Sequence, residues 1–181
     1  GGKAKRAENL AALSDDQYQN PDEITPPPYH PDTPVVRRQW ANYYENITAL
    51  DYWADGLLDE LEAAGVADDT IVLFWSDHGA GLPRCKRWPY DSGTRVPVIM
   101  YVPPRWREQI ACPEAGSRVS DLVSSIDFAP TTLRLAGVDV PDVMAGRSIL
   151  HDPAPDFVYS FRGRMDERYD MVCTIRTRTA R

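Results

Sequence analysis

Thr70–Pro103, TIVLFWSDHGAGLPRCKRWPYDSGTRVPVIMYVP, is the stretch on which the reading of the whole chain turns. An apolar run, Ile71 to Trp75, stops abruptly at Ser76-Asp77-His78-Gly79, and a basic loop follows with Arg84, Lys86 and Arg87. Tyr90-Asp91-Ser92-Gly93-Thr94-Arg95 then leads through Pro97 into a second apolar run, Val98 to Val102. Two buried-strand patterns thus flank a loop that holds a carboxylate, an imidazole and a group of fixed cations. In open α/β sheets ligands bind outside the carboxyl ends of strands, so a polar cluster at that position is a candidate site.

Asp77 and His78 are neighbours, and strand alternation would send their side chains to opposite faces. A turn at Gly79 lifts that restriction and lets both approach one ion. Carboxylate oxygen suits Ca2+, Mg2+ or Mn2+, and imidazole suits softer ions. Two ligands are too few, so the remainder must come from elsewhere. On the dipeptide alone the commoner meaning is a turn-capping Asp beside a satisfied polar His. Lys86, eight residues beyond His78, offers a point charge for a phosphate or sulfate oxygen, and Arg offers a two-pronged fork. Arg84, Lys86, Arg87 and Arg95 beside a metal pair suggest a tetrahedral oxyanion. Taken singly, Arg84 and Arg87 read equally as solvated charges in a chain of net charge −7.

The order SDHG, then Lys86, then YDSGTRVP entering a strand resembles the second half of a sulfatase, within the alkaline-phosphatase superfamily. Tyr43-Tyr44, Ile47, Leu50-Asp51, Leu57-Leu58 and Leu61 fit the same pattern. So do Val123 to Leu133 with Ala136-Gly137. The tail Arg162-Gly163-Arg164-Met165-Asp166-Glu167-Arg168-Tyr169-Asp170 is similar to the heparan N-sulfatase-like subgroup. The resemblance implies an α/β fold: part of a mixed, mostly parallel sheet flanked by helices, followed by the start of a small antiparallel C-terminal sheet. It divides the chain into residues 1–153, the C-terminal half of a catalytic domain, and residues 154–181, the beginning of a small subdomain.

By position the resemblance makes Asp77 and His78 metal ligands, with His78 standing where many members have Asn. It makes Lys86 both the catalytic cation and a sulfate contact, with Arg84, Arg164 and Asp166 as further substrate-binding residues. The implied cofactors are a divalent metal, Ca2+ first with Mg2+ or Mn2+ as alternatives, and a formylglycine made from Cys or Ser in C/S-x-P-x-R. No such motif is present: Cys85, Cys112 and Cys173 all lie in other contexts, so no nucleophile is assigned. The expectation is a carboxyl-terminal fragment of a metal-dependent sulfuric ester or sulfamate hydrolase acting on sulfated glycans, inactive in isolation. Its location by resemblance is periplasmic, extracellular or lysosomal. The alternatives are a phosphodiester or phosphonate hydrolase of the same superfamily, since phosphate and sulfate are isosteric, and a non-catalytic binding module derived from the fold.

The remaining sequence places these groups. Net charge −7 argues against nucleic acid, whose phosphates need a basic face, and no apolar run reaches bilayer-spanning length. The three Cys suggest neither a disulfide framework nor a zinc site. Residues 1–34 are polar and, from Pro21 on, proline-rich, which favours an extended loop ordered by packing. His30 in that loop reads as structural. Thr33-Pro34 opens a helix as N-cap and first-turn proline, and apolar residues from Trp40 to Leu61 recur at helical spacing until Gly65. Its stripe should pack on the sheet, and its Asp55, Asp59, Glu60 and Glu62 should be solvated. A helix followed by a β-branched run is the signature of a parallel sheet. Arg105–Gly116 reads as a surface loop and Val119–Ser125 as a short strand or turn, with Asp127 capping a helix that ends at Gly137. Phe157–Phe161 and Met171–Arg176 read as two antiparallel strands around a charged turn.

Overall fold

The structure is a computed structural model that describes residues 8, 10–110 and 112–179; residues 1–7 of the polar leader fall outside them. The chain forms two compact units, Gly1–Ala67 and Asp68–Arg181.

The first unit is built on helix α1, Pro34–Ala63. Thr33 Oγ1 accepts from Val36 N at 3.3 Å, and Pro34 loses nothing in the first turn because its missing N–H would have no helical acceptor. The helix ends at Gly65, whose φ of 69° is left-handed. Gly65 N donates to Glu62 O and Val66 N to Leu61 O, the paired closure that satisfies the last carbonyls. Trp40, Ala41, Glu45 and Ala49 are the buried residues of the helix. Farther along, the apolar stripe is open: Ile47, Leu50, Trp53, Leu57 and Leu58 are all exposed, which departs from the expected burial of the whole stripe. The acidic residues Asp55, Asp59, Glu60 and Glu62 are solvated. The proline-rich loop is ordered by packing, with Ile24 and Pro26 buried. Trp40 Nε1 donates to His30 Nδ1 at 3.0 Å, so this imidazole braces the loop.

The second unit holds two antiparallel strand pairs. Strand β1, Val72–Trp75, pairs with β2, Val98–Tyr101, in the register Val72↔Tyr101 to Trp75↔Val98. The helix-then-strand pattern pointed to a parallel neighbour for β1; its partner here is antiparallel, because the 22 residues between the two strands form a returning loop with only one short helix, α2, Asp91–Thr94. Both strands are also more open than their apolar sequences suggest, with Ile99 60% exposed. A 3-10 turn and helix α3, Arg107–Ile110, occupy the expected surface loop, and no strand forms over Val119–Ser125.

Helix α4, Phe128–Leu135, follows a 3-10 turn at Ser125–Asp127. Asp127 is buried and does not cap α4 as expected. Its carboxylate accepts from Ser124 N at 2.9 Å and from Arg147 N at 3.0 Å, linking the helix to the 146–152 segment. Trp75 at the end of β1 meets Phe128 with ring centroids 4.7 Å apart. The hairpin of β3, Phe157–Met165, and β4, Arg168–Thr177, is longer than read from sequence. Its turn is only Asp166-Glu167, with Asp166 at φ 49°, so Arg162, Arg164 and Arg168 stand on strands rather than in a charged turn. A register shift between Arg162 and Arg164 marks a β-bulge.

Candidate active site

The candidate site starts where β1 stops. Ser76 N donates to Pro97 O at 3.4 Å and Gly79 N to Gly93 O at 3.0 Å, which clamps the outgoing and returning halves of the loop just beyond the ladder. Gly79 and Gly93 are the pivots of this clamp. A Cβ on Gly79 would lie inside contact distance of Ser92 O, and one on Gly93 would meet the carbonyls of Trp88 and Cys85. Neither glycine has a left-handed φ, so close approach of backbone is what selects glycine here.

Asp77 and His78 emerge at this point. His78 Nδ1 lies 2.7 Å from Gly79 O. A carbonyl can only accept, so Nδ1 is the donor in this contact. Nε2 stands 3.7 Å from Asp77 Oδ2, and Ser76 Oγ donates to His78 O at 2.7 Å to hold the peptide. The Asp77 carboxylate is 84% exposed. The ring is tied back through one nitrogen and turns the other to the carboxylate. These two side chains could supply part of a divalent ion's ligand set. Among the described residues no third His, Cys, Asp or Glu joins them.

The basic loop is strained. Arg84 and Arg87 have φ of 64° and 69°. Left-handed non-glycine residues cost about 1–2 kcal/mol each, so the surroundings must hold them. Lys86, between them, donates its backbone N–H to Ala80 O at 3.0 Å, and Ser92 Oγ donates to Arg84 O at 2.7 Å. Cys85 beneath is buried, which turns Lys86 outward. Among the described residues no hydrogen bond or ion pair reaches the Lys86 ammonium. The Arg84 guanidinium sits 4.7 Å over the Tyr90 ring, and Arg87 pairs with Asp166 of the hairpin turn at 2.6 Å.

His78, Arg87, Trp88, Arg162, Arg164 and Asp166 line an open cleft of about 560 Å³. Of the residues picked from sequence, His78, Arg164 and Asp166 therefore meet around one space, and Asp77 adjoins it through His78. Arg84 and Lys86 do not line the cleft. Arg87, Trp88 and Arg162 do; the sequence reading counted Arg87 among the cations around an oxyanion and gave Trp88 and Arg162 no substrate role. The signal for Arg162 was its even spacing with Ser160 and Val158 on the strand face opposite Phe161.

The cluster at the end of β1 thus sets a carboxylate–imidazole pair on one side of a cationic loop. The family model for sulfatases matches residues 5–138, and the chain belongs to the sulfatase family, within the alkaline-phosphatase superfamily. It is 32% identical over 164 residues to an ulvan-active sulfatase of Formosa agariphila, covering 88% of this chain and 26% of that protein. To the human N-sulphoglucosamine sulphohydrolase it is 30% identical over 144 residues, covering 74% of this chain and 27% of the relative. A solved structure, BT4656 in complex with its substrate D-glucosamine-2-N,6-O-disulfate, superposes with a TM-score of 0.65 at 26% identity, over 82% of this chain and 32% of that one. The chain thus spans about a quarter of the length of the curated relatives it matches.

Proposed function

We propose that this chain supplies one half of the active site of a sulfuric ester or sulfamate hydrolase acting on sulfated glycans, met outside the cytoplasm in a periplasmic, extracellular or lysosomal setting. The observation that carries the reading is the Asp77–His78 pair at the end of β1, with His78 Nε2 turned to the Asp77 carboxylate beside the cationic loop.

Asp77 and His78 would hold a divalent ion, Ca2+ before Mg2+ or Mn2+, and that ion when bound would polarise a sulfate oxygen and neutralise part of its charge. Lys86 contributes a second, mobile cation for the charge that grows on the sulfate oxygens and the leaving group. The His78 Nδ1–H bond to Gly79 O keeps the ring from rotating away, and the Gly79–Gly93 clamp holds that peptide. Arg164 and Asp166, on the rim of the cleft, read the sugar and its anionic substituents. The nucleophile, a formylglycine by family resemblance, is supplied from outside these 181 residues, so the isolated chain should not turn over substrate.

In the complete enzyme, Asp77→Ala should reduce sulfate-ester turnover to background and lower the metal content measured by atomic emission. Retention of both would remove Asp77 from the ligand set. Metal-dependent turnover by the purified 181-residue chain would overturn the division of the site. A higher kcat/KM on a phosphonate monoester than on the matched sulfate ester would move the reading to phosphoryl chemistry.

A further inference from the structure

We propose that Arg162 is a positioning residue for the basic loop: it holds the left-handed peptide at Arg87 and thereby sets where Lys86 stands. The inference rests on the reading of Lys86 as the cation that meets the sulfate group.

Two left-handed non-glycine residues bracket Lys86, at Arg84 and Arg87. The carbonyl of Arg84 is braced locally by Ser92 Oγ at 2.7 Å. The carbonyl of Arg87 accepts from Arg162 Nη1 at 2.9 Å, a donor 75 residues away on β3. Arg162 is well placed for this. Its side chain is 9% exposed, its Nη2 is paired with Asp170 on β4, and its guanidinium lies 4.0 Å over the Trp88 ring. Trp88 stacks on Tyr90 with centroids 5.4 Å apart and planes 9° from parallel, and Arg84 lies over Tyr90. A continuous run of ring contacts, Arg162–Trp88–Tyr90–Arg84, therefore ties one left-handed residue to the brace of the other.

The β-bulge next to Arg162 is consistent with this role, because bulges re-aim neighbouring side chains. Arg162 has one nitrogen on Asp170, one on Arg87 O and its flat face on Trp88, and its buried Nε has no partner among the described residues. It acts through Lys86 rather than on the reacting atoms. Only a planar fork meets all three demands together, so lysine should not replace it.

The test uses the complete enzyme with 4-nitrophenyl sulfate as substrate, with rates normalised to folded protein by circular dichroism. Arg162→Met and Arg162→Lys should both lower kcat/KM by on the order of a hundredfold, the cost of an ångström-scale misplacement. Glycine adopts a left-handed φ without strain, so in an Arg87→Gly background the further loss from Arg162→Met should shrink to a few-fold, roughly tenfold at most. A purely structural role would give the same loss in both backgrounds. Equal losses, or wild-type kinetics for Arg162→Lys, would overturn the proposal. Lys86→Ala is the separating control. If it loses activity while Arg162→Met does not, the positioning role fails and the functional reading stands. If Lys86→Ala is as active as wild type, that functional reading fails first.

Discussion

Arg147 and Arg87 are both arginines in irregular segments of the second unit, and they use their charge in opposite ways. Arg147 is 14% exposed and turns its donors inward. Its Nη1 reaches Asp152 O at 2.9 Å and Ile149 O at 3.3 Å, its Nη2 reaches Leu122 O at 3.0 Å, and its backbone N–H meets the buried Asp127. Around it Thr131 Oγ1 donates to Asp127 O and accepts from Ile149 N, so the 146–152 segment is knotted onto α4. Arg87 is 55% exposed, stands in a strained backbone, and shares its guanidinium with an exposed Asp166. Lys86 beside it points outward. A cation whose Nη donors end on carbonyls of its own fold is a structural part. One held open on a strained and heavily braced loop is available to a ligand, and strain of this kind gathers at functional sites.

That contrast can be broken by mutation. The largest effect belongs to the open charge: in the complete enzyme Lys86→Ala should lower kcat by on the order of 10²–10³, as loss of one charge-stabilising donor does elsewhere. Arg87→Ala, already shared with Asp166, should cost no more than about tenfold. Equal losses measured by steady-state kinetics would erase the distinction between the two cations. The closed charge should show in stability instead. Arg147→Met removes the donors to the carbonyls of Leu122, Ile149 and Asp152 and the positive charge 4.0 Å from Asp127, and should cost about 3 kcal/mol in urea unfolding. A change below about 1 kcal/mol would mean that water replaces the guanidinium.

The smallest effect lies in the first unit, where Arg37 grips Asp32 through Nε at 2.5 Å and Nη2 at 2.7 Å. The hydrogen bond from Arg37 holds the Asp32 carboxyl below its ordinary value. A depressed carboxylate contributes stability above its unfolded value and loses it as pH falls through the folded one. The pair is exposed, so the contribution is small. An NMR titration of the Asp32 side-chain carbonyl should place its midpoint below the ordinary aspartate value, and Arg37→Ala should raise it. A midpoint in the unmutated protein that Arg37→Ala leaves unchanged would show that the pair does not persist in solution.

The sequence was most informative where local chemistry decides. Thr33-Pro34 and Gly65 marked the ends of α1 because capping and left-handed closure depend on the residues at those positions. The apolar runs around Asp77 and His78 marked β1 and β2, since strand ends and turn residues alternate sharply there. The order Asp77-His78, Lys86, Tyr90–Pro97 carried the resemblance to the family because it is a local pattern of residue types at fixed spacing. Asp127 was misread as a cap. A helix start calls for such a residue, but its true partners are Ser124 N and Arg147 N, and Arg147 lies 20 residues away.

Long-range partners belong to the tertiary structure alone. Nothing local in Arg162 tells that it stacks on Trp88 and bonds the carbonyl of Arg87, because that contact exists only once the β3–β4 hairpin has brought it to the loop. The antiparallel pairing of β1 with β2 is of the same kind: an apolar strand reads alike in either direction, and only the path of the returning loop selects one. Sequence determined which groups are candidates for chemistry and where α1 begins and ends, since these follow from each residue's own donors, charge and backbone freedom. The fold decided which of those groups face one another, because that depends on distances between parts of the chain that no local pattern encodes.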